Sequence, residues 1–269
     1  MAEVKRLLPE KTKIGHTGTL DPLASGLLVL LIGRATRLSR YVTGLDKTYT
    51  ATARFGAVSD TLDAEGEITP LGTPPPDEEA IRCALPAFTG DLLQTPPMAS
   101  ALKHSGTRLY DLHRRGLTVE REPRPVTVQA LALTGTDADT ATFEISCSSG
   151  TYVRTLIDDL AASLNSGAYL TALRRHTVGH LTLASAPTPA DLDPYTIHNR
   201  IIPPNEVVSH LPGVEVGAGV GPASWVCNGR RLGRLGVGGS CRVVSGGELL
   251  AVYRDEGDGA RAEVVLCAG

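Results

Sequence analysis

The chain has few aromatic side chains and no long apolar run. Aromatic residues make up only 4% of its 269 residues, so aliphatic side chains must fill the core. The longest apolar run, residues 27–32, is far shorter than the roughly 18 residues of a membrane-spanning helix and is typical of a buried strand. Residues 1–6 lack the apolar stretch of a signal peptide. We therefore expect no association with a membrane.

Cysteine and net positive charge are also scarce. The five cysteines are odd in number and show no C-x-x-C spacing, which argues against a disulfide framework or a zinc site and favours a reducing cytoplasm. The net charge of −3 does not indicate a nucleic-acid partner, so any such partner must bind to a local basic surface. A hydrophobic content of 42% excludes global disorder.

Hydrophobic periodicity predicts a chain of mixed α and β structure. Residues 48–55 alternate between apolar and polar side chains, which predicts a half-buried strand. Strands are also predicted over 126–133 and 140–147. Residues 151–164 have apolar side chains at helical spacing, which predicts the most regular helix of the chain. The intervening segment 91–125 has many basic residues and prolines and is interpreted as a long functional loop.

Two further helices and a domain boundary follow from local signals. Spacing predicts a helix over 35–42, and the acidic residues 77–79 are typical of a helix start. A break near residues 202–205 predicts a catalytic domain over 1–204 and a small all-β domain over 205–269. The β-like runs after the break are 214–216, 225–226, 241–244, 249–253 and 264–266.

Taken one at a time, the polar candidates allow ordinary interpretations. Asp21 followed by Pro22 is typical of a helix N-cap, and on pattern alone this is favoured over a catalytic role. Arg154 lies four residues before Asp158, as in a helix-surface ion pair. Taken alone, Tyr49 is a core or surface tyrosine. The sequence has no Walker A motif, dinucleotide fingerprint, G-x-S-x-G elbow or H-E-x-x-H motif.

Taken together, six segments resemble the B family of tRNA pseudouridine synthases. The strongest is GHTGTLDPLASG, residues 15–26, which resembles the signature loop that carries the essential aspartate of that family. The other five follow in family order within about residues 4–180 and are Asp46–Tyr49, Pro97–Lys103, Gly106–Tyr110, Cys147–Thr155 and Leu173–Arg175. The C-terminal region is similar, more weakly, to a PUA domain.

The resemblance implies a fold, a substrate and a set of site residues. It implies an α+β pseudouridine synthase fold with a mixed, largely antiparallel sheet, followed by a PUA-like RNA-binding domain. The substrate would be the T-loop uridine at position 55 of tRNA, met through the T arm by a monomer that needs no cofactor and no metal. Asp21 would be catalytic. The implied substrate-binding residues are His16, Tyr49, Tyr152, Arg154 and Leu173, and the implied tRNA-binding residues are Lys103, Arg108, Arg114, Arg115, Arg174 and Arg175.

These residue types suit the isomerisation. The reaction needs an ionised carboxylate at the ribose, as a nucleophile or as a base in a glycal route, and the sequence leaves both routes open. A paired Arg154 would oppose the tendency of a buried Asp21 to become neutral. Tyr49 and Tyr152 would pack against a flipped uracil, Leu173 would close the apolar side, and His16 would act as a stacking wedge.

Two rival functions and one departure from the family pattern remain. A non-catalytic tRNA-binding or folding protein is the first rival, and a glycosidase is the second, although it needs another suitably placed acid. The family pattern begins with an apolar strand and a Lys-Pro motif, whereas Met1 falls within the region of the first helix. We therefore expect a sheet that is short of one strand and correspondingly less stable.

Overall fold

The computed structural model describes residues 1–217 and 220–267. Its helices are α1 (Ala2–Arg6), α2 (Ser39–Thr43), α3 (Glu78–Ala84), α4 (Leu109–His113), α5 (Val153–Ser163), α6 (Pro204–Val207) and α7 (Ala223–Cys227). Its strands are β1 (Ile14–His16), β2 (Ala24–Gly26), β3 (Leu30–Ile32), β4 (Lys47–Phe55), β5 (Ala57–Ser59), β6 (Ile68–Pro70), β7 (Gly90–Gln94), β8 (Lys103–His104), β9 (Thr107–Arg108), β10 (Arg124–Asp137), β11 (Thr140–Cys147), β12 (Ala168–Val178), β13 (Leu181–Thr182), β14 (Gly213–Glu215), β15 (Gly239–Ser245), β16 (Glu248–Asp255) and β17 (Ala260–Val265). The predicted α+β class is confirmed.

The chain divides into two compact units. The first, which we call the sheet unit, consists of Gly18–Leu28 and Gly44–Ala184. The second, the terminal unit, consists of Met1–Thr17, Val29–Thr43 and Ser185–Gly269. The predicted domain bounds of 1–204 and 205–269 group the residues differently and stay a prediction.

A seven-stranded sheet forms the centre of the sheet unit. Its strand order is β13-β12-β4-β11-β10-β7, and β2 pairs with β12 outside this path. Every pairing in the sheet is antiparallel except that of β2 with β12, so the sheet is mixed and largely antiparallel, as predicted. The predicted alternation along β4 is confirmed, because its odd-numbered residues are buried.

Helix α5 packs its apolar stripe on this sheet. Leu156, Ile157 and Leu160 are at most 1% exposed and share one core with Phe143 and Leu170. Burying each such side chain contributes roughly 1.5–3 kcal/mol, so the stripe fixes the helix against the sheet. The predicted helix over 151–164 is confirmed, and its first turn carries Arg154 into the unit.

Other segments differ from the sequence prediction. Residues 91–125 are not a single loop, since they contain most of β7, the β8–β9 hairpin and α4. The predicted strand over 27–32 is a strand only at its end, in β3, and the predicted helix over 35–42 is split between a 3-10 helix, Gly33–Leu38, and α2. Residues 225–226 lie in α7 rather than in a strand, because the Pro222–Ala223 step starts a helical turn.

The terminal unit has its own sheet and core. The four strands follow the order β14-β15-β16-β17, with β14 parallel to β15 and the other pairs antiparallel. Val243, Ala251 and Tyr253 are fully buried at its centre. Cys227 and Cys267 form a disulfide, which corrects the expectation drawn from the odd cysteine count. The other three cysteines are free.

Residues 1–217 and 220–267 lack two further features, a membrane-spanning helix and a cluster of metal ligands. None of the helices there has both the length and the apolar composition that a membrane crossing requires. The same residues include no group of three or more His, Cys, Asp or Glu side chains that is arranged to hold a metal ion.

Candidate active site

Asp21 lies in a loop, residues 18–27, that we call the Asp21 loop. Its backbone carbonyl accepts a hydrogen bond from the Ala24 N–H at 2.8 Å, which closes a turn. The chain then continues as strand β2, and no helix follows Asp21. The N-cap interpretation is therefore wrong. Pro22 serves the turn, for which its fixed φ is suited.

Asp21 forms a bidentate ion pair with Arg154. Arg154 Nε donates to Asp21 Oδ2 at 2.9 Å, and Nη2 donates to Oδ1 at 2.9 Å. The Arg154 side chain is 3% exposed, whereas that of Asp21 is 33% exposed. The pairing that the sequence analysis considered is thus present. The carboxylate keeps an open side, from which a substrate can reach it.

The remaining donors of Arg154 are also occupied. Nη1 donates to the Thr61 carbonyl at 2.7 Å and lies 3.2 Å from Asp63 Oδ2, and Nη2 donates to the Ala99 carbonyl at 2.8 Å. The guanidinium thus makes four hydrogen bonds and a further ion pair, and it is held from several sides. The surface pairing of Arg154 with Asp158 that its spacing allowed is not formed, because the guanidinium points into the unit.

Asp63 is a site residue that sequence reasoning missed. Its side chain is 3% exposed and shares the Arg154 guanidinium with Asp21. Thr61 Oγ1 donates to Asp63 Oδ1 at 2.7 Å, and the Glu65 N–H donates to the same oxygen at 3.1 Å. Leu62, with φ of 63°, makes the turn that presents Asp63 inward. The only sequence signal was a short acidic turn after β5, which is common on protein surfaces.

The surroundings of Asp21 act on its pKa in opposite directions. Burial raises the pKa most, the Arg154 guanidinium lowers it, the Asp63 carboxylate raises it, and the Arg175 guanidinium lowers it. The net result is a pKa above the ordinary aspartate value. A carboxylate with a raised pKa is a stronger base and nucleophile than an exposed one, and the two arginines oppose the loss of charge that burial favours.

Two tyrosines lie beside this ion pair. Tyr49 is 9% exposed on β4, and burial raises its pKa to about 12. Burial also raises the pKa of Tyr152, although the Ser100 hydroxyl acts against it. Asp21 contributes to the upward shift of both phenols. Both are therefore neutral at physiological pH and present uncharged aromatic rings.

The backbone of Tyr152 is held by Gln94, a second residue that sequence reasoning missed. Gln94 Nε2 donates to the Tyr152 carbonyl at 3.1 Å, and the Tyr152 N–H donates to Gln94 Oε1 at 2.7 Å. Gln94 is 4% exposed at the end of β7. The Gln94 amide therefore bonds to both the N–H and the carbonyl of Tyr152, as the backbone of a neighbouring strand would, and it holds the residue that precedes α5.

Leu173 lies between the Asp21 loop and the central strand. It is 7% exposed on β12, where it pairs with Ala24 of the loop on one side and with Ala51 of β4 on the other. Its side chain belongs to the same apolar core as Tyr49 and is packed by Leu23 and Ala24. The predicted apolar wall therefore lies next to the predicted catalytic residue.

The other candidates differ in the unit to which they belong and in their exposure. His16 belongs to the terminal unit and is an exposed residue at the end of β1. Arg175 differs from the remaining basic candidates because it is 2% exposed and bonds to backbone carbonyls. The basic candidates that are exposed in the sheet unit are Lys103, Arg108, Arg114, Arg115 and Arg174.

Two solved structures share the fold of this chain. The chain is similar to a chain of the crystal structure of a Cbf5-Nop10-Gar1 complex, with a TM-score of 0.69, 22% identity, and coverage of 98% of this chain and 79% of that one. It is equally similar, with a TM-score of 0.69 and 21% identity over 99% of this chain and 80% of that one, to a chain of an H/ACA RNP bound to a substrate RNA containing 2′-deoxyuridine. At these identities the likeness shows the fold.

Sequence comparisons show the family. The model of the TruB family pseudouridylate synthase (N terminal domain) matches residues 5–153. The tRNA pseudouridine synthase B of Burkholderia mallei (strain NCTC 10247) is 47% identical over 235 residues, which cover 86% of this chain and 77% of that protein. The enzyme of the same name from Aromatoleum aromaticum is 40% identical over 261 residues, 96% of this chain and 84% of that protein. The chain belongs to the TruB family of pseudouridylate synthases.

Proposed function

We propose that this chain isomerises uridine to pseudouridine in tRNA, with the T-loop uridine at position 55 as its substrate and Asp21 as its catalytic carboxylate. The observation that carries the proposal is the bidentate pair of Asp21 with a buried Arg154. Curated relatives at 40% and 47% identity are named tRNA pseudouridine synthase B, which supports the choice of reaction and of tRNA.

The reaction rearranges bonds without oxidation or reduction. The C1′–N1 bond of uridine breaks, the uracil turns, a C1′–C5 bond forms, C5 loses its proton and N1 gains one. Asp21 either attacks C1′ or removes a ribose proton, and both routes need its ionised form. Arg154 supplies that form by holding both carboxylate oxygens, and it also fixes their direction.

The walls around Asp21 suit a base that has left its stack. Tyr49 and Tyr152 offer aromatic rings, and Leu173 offers an apolar side chain from the strand that pairs with the Asp21 loop. A flipped pyrimidine is held by such stacking surfaces at a cost in unstacking of a few kcal/mol. We propose that Tyr49, Tyr152, Arg154 and Leu173 contact the substrate, with His16 as a wedge among the displaced nucleotides.

Exposed cations provide the surface for tRNA. Lys103 and Arg108 face each other across the β8–β9 hairpin, and Arg114 and Arg115 follow α4, with Arg114 5.8 Å from the Tyr110 ring centre. Phosphate contacts from such residues supply most of the affinity for an RNA backbone. In the terminal unit, the exposed Trp225 with Arg230 at 5.7 Å from its ring centre supports an RNA-binding role for the C-terminal domain. We propose a monomer that acts in the cytoplasm.

The experiment is pseudouridine formation on an unmodified T-arm transcript by the parent chain and by Asp21→Asn. The parent is expected to convert the T-loop uridine, whereas the variant is expected to bind the RNA with similar affinity and to form no detectable pseudouridine, since an amide is neither nucleophile nor base. Asp139→Asn, which alters a partly exposed carboxylate paired with Arg54, is the matched control and should turn over normally.

Three results would contradict the proposal. Isomerisation by Asp21→Asn near the parent rate would remove Asp21 from the mechanism. A parent chain that binds the transcript without converting it would favour the non-catalytic RNA-binding rival. Release of free uracil in place of pseudouridine would favour glycosidase chemistry.

A further inference from the structure

Arg175 is a buried arginine whose charge the ion-pair network of Arg154 does not explain. It is 2% exposed on β12, and within residues 1–217 and 220–267 no carboxylate lies within ion-pairing distance of it. Its neighbour Arg174 points to the opposite face of the strand and is exposed. A buried guanidinium costs free energy unless it is fully hydrogen-bonded, so its partners should show what it does.

Its partners are the two ends of the Asp21 loop. Arg175 Nε donates to the Leu27 carbonyl at 2.8 Å, and Nη2 donates to the Gly18 carbonyl at 3.3 Å. The Leu27 N–H donates in turn to the Arg175 carbonyl at 2.9 Å. One residue therefore binds Leu27 through both its backbone and its side chain and reaches across to Gly18, with Asp21 between the two ends.

The glycines of the loop fit this arrangement. Gly26 has a φ of 100°, and a Cβ placed on it would overlap the Arg175 carbonyl oxygen and lie 2.8 Å from the Arg175 nitrogen. Gly18 has a φ of 122° and its Cβ position is 3.7 Å from Arg175 Nη1. At Gly26 the backbone of the loop thus approaches Arg175 more closely than a residue with a side chain allows, whereas at Gly18 the positive φ is the feature that favours glycine.

We propose that Arg175 is a positioning residue for the isomerisation, which clamps both ends of the Asp21 loop so that the Asp21 carboxylate meets Arg154, and that it is not a contact for tRNA phosphate. The inference rests on the proposed function. Its burial leaves no face for a phosphate, and its donors are directed at carbonyls of the loop. Its guanidinium also lies beside the Tyr49 phenol, so the clamp orders one wall of the pocket as well.

The test separates positioning from RNA binding by measuring the saturated single-turnover rate and the Kd for a T-arm transcript separately. Arg175→Lys keeps the charge but lacks the fork that reaches both loop ends, so its saturated rate should fall at least about tenfold, which corresponds to about 1.4 kcal/mol. Its Kd should stay within about twofold of the parent, because phosphate contacts elsewhere supply the affinity. Arg174→Gln should instead weaken binding, and Arg54→Lys, an exposed arginine on the same sheet, serves as the control.

A pH profile adds a readout that a general loss of structure does not produce. The positive charge of Arg175 lowers the pKa of Asp21, so Arg175→Gln should move the acid limb of the rate to higher pH, and Arg175→Lys should move it less. If Arg175→Gln does not fold, Gly26→Ala tests the same clamp from the loop side, since its Cβ pushes β2 away from β12. It should lower the saturated rate and keep the Kd.

The outcomes distinguish this inference from the proposed function. A parent chain that forms no pseudouridine overturns both. An active parent with an inactive Asp21→Asn, together with an Arg175→Lys variant whose Kd rises while its saturated rate equals that of the parent, overturns the positioning role alone. Equal acid limbs for Arg175→Gln and Arg175→Lys would also overturn it.

Discussion

The sheet unit and the terminal unit differ in the number of polar side chains that they bury. Ten polar or charged residues are buried in the part of the chain that the structure describes. Two belong to the terminal unit, Thr17 and Asp255. The other eight belong to the sheet unit and are Lys47, Ser59, Asp63, Gln94, Ser100, Arg154, Thr155 and Arg175. Burial of such groups costs free energy, so their concentration marks the unit in which chemistry rather than stability has shaped the interior.

The two units also differ in the partners of their buried polar groups. Around Asp21, the Arg154 guanidinium joins two carboxylates and two carbonyls from three separate segments. In the terminal unit, Asp255 accepts hydrogen bonds from backbone N–H groups of nearby residues, Val237 at 3.1 Å and Gly257 at 3.2 Å. The first network fixes the Asp21 carboxylate, whereas the second closes a loop. Substitutions should therefore affect turnover in one unit and stability in the other.

The largest effect is expected for Arg154→Lys. A lysine ammonium has three donors and no fork, so it cannot hold both oxygens of Asp21 while bonding to Asp63, Thr61 and Ala99. The saturated rate of pseudouridine formation should fall by roughly 100-fold or more, about 2.7 kcal/mol, with a similar Kd for the T arm. Arg82→Lys, in an exposed helical ion pair, is the control. A near-parental rate would show that bidentate pairing is dispensable.

A smaller loss of the single-turnover rate, together with a shift of the acid limb of its pH profile, is expected for Asp63→Asn. The Asp63 carboxylate raises the pKa of Asp21, so its removal should lower that pKa and move the acid limb of the rate to lower pH. Arg154→Gln removes a charge that lowers the pKa and should move the limb the opposite way. The pH dependence of the single-turnover rate measures both. Shifts of the same sign in the two variants would contradict the assigned network.

The smallest effect on turnover is expected for Asp255→Asn. Burial acts to raise the pKa of Asp255, but backbone hydrogen bonds, foremost that of the Gly257 N–H, leave it below its ordinary value. A lowered pKa in the folded state stabilises the protein at neutral pH, and this contribution is lost as the pH falls through that pKa. The variant should show a lower Tm at pH 7 than the parent, a smaller difference in acid, and unchanged turnover on a saturating T arm. An equal Tm at pH 7 would refute the stabilising role.

Sequence periodicity predicted the elements in which one face is buried along a regular backbone. Helix α5 and strand β4 repeat their apolar side chains at 3.6 and 2 residues and were predicted closely. Strand β12 was not, because register shifts between Leu170 and Ala172 and between Arg175 and Thr177 interrupt its alternation. The mixed, largely antiparallel sheet followed from the family resemblance rather than from the periodicity.

The sequence analysis named several residues of the candidate site but not the residues that hold them in place. Asp21, Tyr49, Tyr152, Arg154 and Leu173 all belong to the sheet unit, and their roles stay a prediction. Asp63 and Gln94 were missed, since each acts through a contact with a distant segment that no local pattern records. Arg175 was named as a candidate, but its burial was not foreseen. An Arg-Arg pair on a strand places one side chain on each face, and the pair itself does not show which face is buried.

The parallel pairing of β2 with β12 also affects when the site can form during synthesis. The contact between Leu27 and Arg175 joins residues 148 positions apart, and that between Asp21 and Arg154 spans 133 positions. Such non-local contacts form late, because the intervening chain must first close a long loop. On the ribosome, which delivers the N-terminal end first, Asp21 emerges early, but its partner Arg154 follows only with α5 and Arg175 only with β12. A nascent chain that stops before Arg175 therefore carries Asp21 without the side chain that joins the two ends of its loop.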